Sequence, residues 1–244
     1  MILLKADHDR KLEIPGVPGL VQRPVDIDQS QTGFKSLRTL RIYRFDPHSV
    51  INGHAEEDEV FIIALKGSID LTMSTPHGQG TALHFTLAAG SDSPHAACAA
   101  YLPPHATYRL IPRSDADIAY VRATPVSSRP PRVFNPPVPG ESTAGVTELL
   151  DEAEYAQRLR LRLLQVSAQR TEIAIMPIRE SERTCEALLH IRSMPAQRVA
   201  TLTQSGAAPL VLDSWDTVSI TPGENPTLRI ATESSVLALI AEAV

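Results

Sequence analysis

The chain has 244 residues, of which 43% are hydrophobic, enough to build one large core or two small ones. Its net charge of −5 and its lack of clustered Lys and Arg argue against nucleic acid as a partner, because phosphate binding needs a concentrated positive face. No apolar stretch approaches the length needed to cross a bilayer, and the N-terminus lacks the apolar core of a secretory signal. We therefore expect a cytoplasmic protein without a membrane partner.

Short alternating segments dominate the first half of the chain and predict β-strands. In residues 36–45, Leu40 and Ile42 share one face, while Tyr43 and Phe45 point to the other. Residues 59–67 are apolar on both faces, which is typical of a strand buried between two layers. The sequence predicts a mainly β fold.

A proline-rich connector separates two halves of similar length. Six of the 20 prolines fall between Thr124 and Gly140, and proline sustains neither a helix nor a central strand. Residues 147–157 then predict one helix. The predicted domains are 1–124 and 147–244, joined by the connector at 125–146.

Arginine and leucine alternate over residues 158–163, directly after the predicted helix. Such a stripe of arginines on one face indicates either an edge strand protected by charge or an anion-binding face.

The two halves end in a similar way. Residues 101–123 and 219–241 align at a constant offset of 118 positions, from Tyr101 to Ser219, so that Pro104 meets Pro222 and Leu110 meets Leu228. Each segment predicts a strand, a proline turn, a second strand, a polar turn and a third strand. An internal repeat at the ends of both halves indicates two β-domains of the same type.

Residues 53–67 resemble the first motif of the cupin superfamily, in which two histidines and a glutamate precede a strand that ends in glycine. His54 and Glu59 match the motif, and Glu56 stands where the second histidine is expected. Residues 103–108 resemble the second motif, with Tyr108 in place of its histidine and His105 at a turn position often held by glycine. The resemblance implies an all-β bicupin, two jelly-roll barrels (double-stranded β-helices) of which the C-terminal one is degenerate.

The spacing from Glu59 to Gly67 and the return strand YLPP are similar to the KduI/IolB group of bicupins, which isomerise sugar acids. That resemblance implies a metal bound by His54, Glu56 and Glu59, with His54, Glu59 and Tyr108 as catalytic residues. In the group, the ligands lie in a dense histidine-rich segment, which this chain lacks. The incomplete ligand set favours a barrel with no cofactor over one that holds Mn, Fe, Ni or Zn.

The residue pattern alone does not decide between a metal site and a solvated loop. His54 and Glu56 project to the same face of a regular strand, whereas Glu59 has the opposite parity and needs a bulge to join them. Four acids within residues 54–59 fit a solvated loop equally well, because like charges repel unless they are exposed.

Three functions therefore remain: a sugar-acid isomerase, a metal-free or regulatory bicupin that binds a small polar molecule in its N-terminal barrel, and a structural bicupin. An interior lined by His54, Glu56 and Tyr108 favours the first two, and an aliphatic interior favours the third. Residues 1–35 are a candidate arm for packing against the other barrel or for exchange in a homodimer.

Overall fold

The chain divides into two compact units in the computed structural model, which describes residues 1–74, 82–89, 96–126, 129–135, 146–152, 155–156, 158–166, 172–175, 185–193, 199–231 and 236–243. The N-terminal unit comprises Asp7–Pro136 and Tyr155–Leu159. The C-terminal unit comprises Met1–Ala6, Pro137–Glu154 and Arg160–Val244.

Strands make up nearly all of the regular structure in the described residues, which confirms the prediction of a mainly β fold. The strands are β1 (Ile2–Leu4), β2 (Lys11–Glu13), β3 (Leu20–Asp28), β4 (Leu37–Phe45), β5 (Ile51–His54), β6 (Glu59–Lys66), β7 (Ser68–Met73), β8 (Leu83–Ala88), β9 (Ala99–Leu102), β10 (Thr107–Pro112), β11 (Ala116–Ala123), β12 (Arg132–Phe134), β13 (Val146–Glu152), β14 (Leu159–Val166), β15 (Glu172–Ala174), β16 (Glu186–Ser193), β17 (Ala200–Thr203), β18 (Leu210–Leu212), β19 (Thr217–Ile220), β20 (Thr227–Ile230) and β21 (Val236–Ala243).

The one helix in the described residues, α1 (Gln29–Thr32), was not predicted. A capping box starts it: Ser30 donates its backbone N–H to the Asp28 carboxylate, and Asp28 donates its own to the Gln31 side chain. The predicted helix over 147–157 is wrong, because residues 146–152 form β13 and pair with β14. Pairing with a neighbouring strand has overridden local helix propensity. No helix in the described part of the chain is long and apolar enough to span a membrane.

The two units repeat one strand order. The N-terminal unit has a large sheet, β12-β9-β6-β11-β4-β3-β2, and a small sheet, β5-β10-β7-β8. The C-terminal unit has a large sheet, β1-β19-β16-β21-β14-β13, and a small sheet, β15-β20-β17-β18. Since β14 lies between β21 and β13, the edge-strand interpretation of the arginine stripe is wrong.

The predicted repeat at the ends of the halves is confirmed by the strand positions. β9 begins at 99 and β19 at 217, the predicted offset of 118. His105 has a φ of 64° and Gly223, at the same offset, a φ of 88°. Both turns need a left-handed residue, as expected for a position where glycine is common.

The first strand takes part in the C-terminal unit. β1 pairs with β19 there, the edge position that β12 occupies beside β9 in the N-terminal unit. The Nζ of Lys5 donates to Asp216 Oδ2 at 2.7 Å, next to the end of β1. The first six residues therefore belong to the C-terminal unit, whereas the predicted boundaries place them in the N-terminal domain. Much of the predicted connector, at 127–128 and 136–145, lies outside the described residues.

Side-chain alternation builds the core of the N-terminal unit between its two sheets. In β6, Val60, Ile62 and Ala64 face this core, and every residue from Glu59 to Leu65 is buried, which confirms a strand covered on both faces. Burying one such Val or Ile side chain contributes about 1.5–3 kcal/mol. The aliphatic residues of both sheets are therefore the main stabilising element of the unit.

We expect Asp216→Ala to lower the free energy of unfolding by about 1–3 kcal/mol, because its buried Oδ2 accepts hydrogen bonds from both Lys5 Nζ and the Asp213 N–H. Lys5→Met should cost less than about 1 kcal/mol, since the exposed Lys5 ammonium pairs with Asp213 and Asp216 in contact with solvent and Asp216 keeps its hydrogen bond from the Asp213 N–H. Urea unfolding of both variants measures the difference. Equal losses would contradict this account of how β1 is anchored.

Candidate functional site

His54 lies on the outer surface of the small sheet of the N-terminal unit. It is the last residue of β5 and pairs in register with Thr107, and both are exposed. Ile51, on the same strand but of opposite parity, belongs to the core. The His54 imidazole therefore points to solvent, away from the interior.

Glu56 follows β5 in a left-handed turn with a φ of 57°. Arg122 donates from Nη1 to Glu56 Oε2 at 2.7 Å and from Nη2 to the His54 carbonyl at 2.7 Å. The hydrogen bond from Arg122 is the main cause that lowers the pKa of the Glu56 carboxyl. The structure thus links Glu56 to His54 only through Arg122 and the main chain.

Glu59 points to the opposite face of β6 from the core. It is fully buried, with Oε1 accepting the Leu159 N–H at 2.7 Å and Oε2 accepting the Tyr101 hydroxyl at 3.3 Å. Burial raises the pKa of its carboxyl to about 7, partly offset by these hydrogen bonds and by Arg158. Glu59 holds the Tyr155–Leu159 segment of the unit in place, and the structure does not bring it together with His54 and Glu56.

The inward positions near this end of the unit do not fit a metal. The residues of β5, β6 and the loop between them that face the core here are Gly53, Ala55 and Val60, none of which has a metal-binding side chain. No group of three His, Cys, Asp or Glu side chains within the described residues could hold a metal ion. The alternation of strand residues puts the predicted ligands on two opposite faces.

The space between the two sheets of the N-terminal unit is lined mostly by aliphatic side chains, and three tyrosines lie at one end of it. Tyr43, Tyr108 and Tyr120 come from three strands, with ring centroids 5.3 Å apart for Tyr43 and Tyr120 and 6.1 Å apart for Tyr108 and Tyr120. The Tyr108 ring covers the space where a Cβ at Gly53 would lie. Of the predicted site residues, only Tyr108 lines the interior.

Burial raises the pKa of Tyr108 to about 12, and it also raises the pKa of Tyr120 well above its ordinary value. Both phenols therefore keep their protons near neutral pH and act as hydrogen-bond donors. The Tyr120 hydroxyl and Thr39 Oγ1 are buried and have no hydrogen-bond partner of acceptable geometry in the described part of the unit. Buried polar groups in proteins are usually hydrogen-bonded, so these two hydroxyls require an explanation.

Three arginines surround a single carboxylate beside the tyrosines. Asp26 accepts from Arg41 Nε at 2.9 Å, from Arg10 Nη1 at 3.0 Å and from Arg23 Nη2 at 2.7 Å. Arg23 also donates to the Tyr43 hydroxyl at 3.3 Å, and its Nε is buried without a partner among the described residues. Asp7, 3.7 Å from Arg10, is the second acid of the cluster, so three positive charges face two negative ones.

We call this region the arginine–tyrosine end. It consists of Arg10, Arg23, Asp26, Thr39, Arg41, Tyr43, Tyr108, Tyr120 and Arg122. Sequence reasoning missed all of these residues except Tyr108. A signal was present: Arg41 precedes Tyr43 by two positions and Arg122 follows Tyr120 by two, so each pair shares one strand face.

Comparison with known proteins supports the fold. No family model and no curated protein matches the sequence. Among solved structures, an IolB-like protein from Salmonella typhimurium LT2 gives a TM-score of 0.73 at 14% identity, over 100% of this chain and 93% of that one. Protein YlbA from E. coli gives 0.67 at 12% identity, over 99% and 89% of the two chains.

A deletion mutant of Bacillus subtilis oxalate decarboxylase gives a TM-score of 0.66 at 11% identity, over 100% of this chain and 76% of that one. Likeness at such low identity shows the fold alone. The chain has the duplicated cupin fold, with two β-barrels, and the predicted resemblance to IolB-like cupins is confirmed at that level.

We expect the Glu59→Gln variant to flatten the pH dependence of stability. The Glu59 carboxyl keeps its proton up to about pH 7 in the native state, whereas in the unfolded chain it releases the proton near the ordinary glutamate pKa of 4.5. The native state then binds more protons within that window, so the free energy of unfolding falls as the pH rises through it, by up to about 3 kcal/mol. Urea unfolding at several pH values measures the slope, with the exposed Glu57→Gln as control. An unchanged slope in Glu59→Gln would disprove the assignment.

Gly53→Ala should destabilise the protein by about 1–3 kcal/mol, because the new Cβ overlaps the Tyr108 ring. In a Tyr108→Leu background the same change should cost little, since the atoms in conflict are gone. Thermal or urea unfolding of the four proteins gives the coupling energy. Additive effects would show that Gly53 serves another purpose.

Proposed function

We propose that this protein is a metal-independent cupin whose N-terminal barrel binds a small hydroxylated anion at the arginine–tyrosine end. The observation that carries the proposal is the buried Tyr120 hydroxyl, which lies near the Tyr108 hydroxyl but makes no hydrogen bond of good geometry with any described residue. Leaving such a group unsatisfied costs about 1–3 kcal/mol. A ligand oxygen at this position would recover that cost.

The arginines of the region favour an anion. Arg10, Arg23 and Arg41 share two carboxylates, Asp26 and Asp7, while Arg122 pairs with Glu56 and Asp58. A guanidinium presents paired N–H donors that match a carboxylate. A carboxylate bound here would also face the Arg23 Nε that has no partner in this part of the chain.

The neutral phenols favour hydroxyl groups on the same ligand. Tyr108 and Tyr120 remain protonated, so each can donate to one ligand oxygen and accept from another. Thr39 Oγ1 adds a second unpartnered hydroxyl, on the same face of the large sheet as Tyr120. A sugar acid, which carries both a carboxylate and hydroxyls, has the chemistry that these groups would recognise.

Isomerisation of such a sugar acid is the second candidate. Glu56 is the carboxylate whose negative charge contributes, after the larger effect of burial, to the raised pKa of the Tyr108 phenol. A carboxylate could take a proton from the carbon beside a carbonyl while the phenol donates one to the carbonyl oxygen. However, Arg122 lowers the pKa of Glu56 and so weakens it as a base. Binding therefore needs fewer assumptions than catalysis.

The aliphatic remainder of the barrel favours a structural role, and the same experiment tests it. We expect D-glucuronate to bind and D-glucose to bind at least tenfold more weakly, as measured by isothermal titration calorimetry. Arg41→Gln should weaken glucuronate binding about tenfold or more, while Arg44→Gln, on the opposite face of β4 and paired with Asp117, should not.

Tyr120→Phe should affect the stability of the free protein and the binding of glucuronate in different directions. Removing an unsatisfied hydroxyl should leave the free protein as stable as before or more stable, while weakening glucuronate binding. Failure of glucuronate to bind, or equal binding by all variants, would favour the structural role. Near-stoichiometric Mn, Fe, Ni or Zn in protein purified without chelator would contradict metal independence.

A further inference from the structure

The solvent face of the small sheet in the N-terminal unit carries a cavity of about 360 Å³. It lies over β5, β10 and β7, where His54 is in register with Thr107 and Arg109 lies between Asn52 and Thr72. The opposite face of the same strands carries the core residues Ile51, Leu71, Met73 and Leu110. The sheet lies between this cavity and the arginine–tyrosine end, and Tyr108, which packs against the core, is the residue that lines both.

The side chains of this groove have one chemical character. The polar ones are Asn52, His54, Thr72, Ser74, Thr107 and Arg109. They offer a guanidinium, an imidazole, three hydroxyls and a carboxamide, and no carboxylate lines the groove within the described residues. We call it the outer groove.

Arg109 differs from the other arginine on this side of the sheet. Arg113 Nη2 lies 2.7 Å from Asp70 Oδ1, and Asp70 also accepts from the Thr86 hydroxyl. Arg109 makes no ion pair and no side-chain hydrogen bond with any described residue. Asp70 lies on the same face of β7, two residues from Thr72, but Arg113 and Thr86 already engage it, so the Arg109 guanidinium can attract an external anion.

The donors of the outer groove are held in position. Ser74 donates its backbone N–H to the Thr107 carbonyl at 3.0 Å, which continues the pairing of β7 with β10 beyond the end of β7. Thr72 Oγ1 lies at 3.0 Å from His84 Nδ1, which orients that hydroxyl. Groups fixed on strands lose little freedom when a ligand binds.

We propose that the outer groove binds the phosphate group of a small hydroxylated molecule. A tetrahedral phosphate has enough oxygens to accept from Arg109, His54 and a threonine hydroxyl together, which a planar carboxylate cannot do as well. The volume lies at the lower end of the roughly 300–1,000 Å³ typical of ligand pockets, so it has room for more than the phosphate.

The test is titration of the whole chain with glucose 6-phosphate, inorganic phosphate and glucose, followed by calorimetry and by ¹H–¹⁵N chemical-shift changes. We expect glucose 6-phosphate to bind most tightly, and its largest shifts to fall on β5 and β10. Arg109→Gln should weaken binding tenfold or more. Arg113→Gln is the matched control, because Arg113 is equally exposed to solvent, already paired, and outside the groove.

Two further comparisons separate this site from the barrel ligand. Tyr120→Phe and Arg41→Gln should leave phosphate binding unchanged, and Arg109→Gln should leave glucuronate binding unchanged. The proposal is overturned if wild type shows no binding at millimolar glucose 6-phosphate, if Arg109→Gln binds as well as wild type, or if Arg41→Gln abolishes binding. Equal affinity for inorganic phosphate and glucose 6-phosphate would overturn the assignment to a phosphate ester.

Discussion

The two-residue alternation of side chains across the pleated sheets decides which groups can meet in this protein. On β5 it turns His54 and Asn52 to solvent while Ile51 and Gly53 face the core. On β6 it turns Val60 and Ile62 inward and Glu59 to the other side. Because neither strand can be shifted by one residue without exposing its apolar face, these placements are held by the whole core.

The same constraint explains why three residues of one sequence motif, His54, Glu56 and Glu59, lie in three different structural environments. Glu59, buried on the outer face of the large sheet, accepts one hydrogen bond from Leu159 of the Tyr155–Leu159 segment and one from Tyr101 of β9, and so fastens that segment to the sheet. Glu56, in a left-handed turn, balances Arg122 at the rim of the barrel. His54 lies on the small sheet and faces the outer groove. Side chains that are neighbours in sequence thus belong to a structural anchor, a barrel end and a separate surface.

The polar groups of the N-terminal barrel are concentrated at one end, where they can be both partly solvated and aligned. Aliphatic packing elsewhere leaves no room for unpaired polar atoms, since each would cost about 1–3 kcal/mol. The unpartnered hydroxyls of Thr39 and Tyr120 lie next to arginines in the strand register.

The sequence by itself determined the β class, the strand buried on both faces at 59–65 and the repeat with its offset of 118, because these depend on local alternation and turn chemistry. It also predicted the left-handed turn at His105. It failed at 146–152, where a helix-like pattern forms a strand, because pairing with β14 is a long-range interaction that local propensity does not contain.

Only the tertiary structure decided the site. Arg23, Arg41 and Tyr120 meet Tyr108 because β3, β4, β11 and β10 bring together residues up to about a hundred positions apart, and no spacing within one strand encodes that meeting. The placement of β1 in the C-terminal unit is of the same kind. Alternation within a strand is a local property, whereas which strands become neighbours depends on the packing of the whole chain.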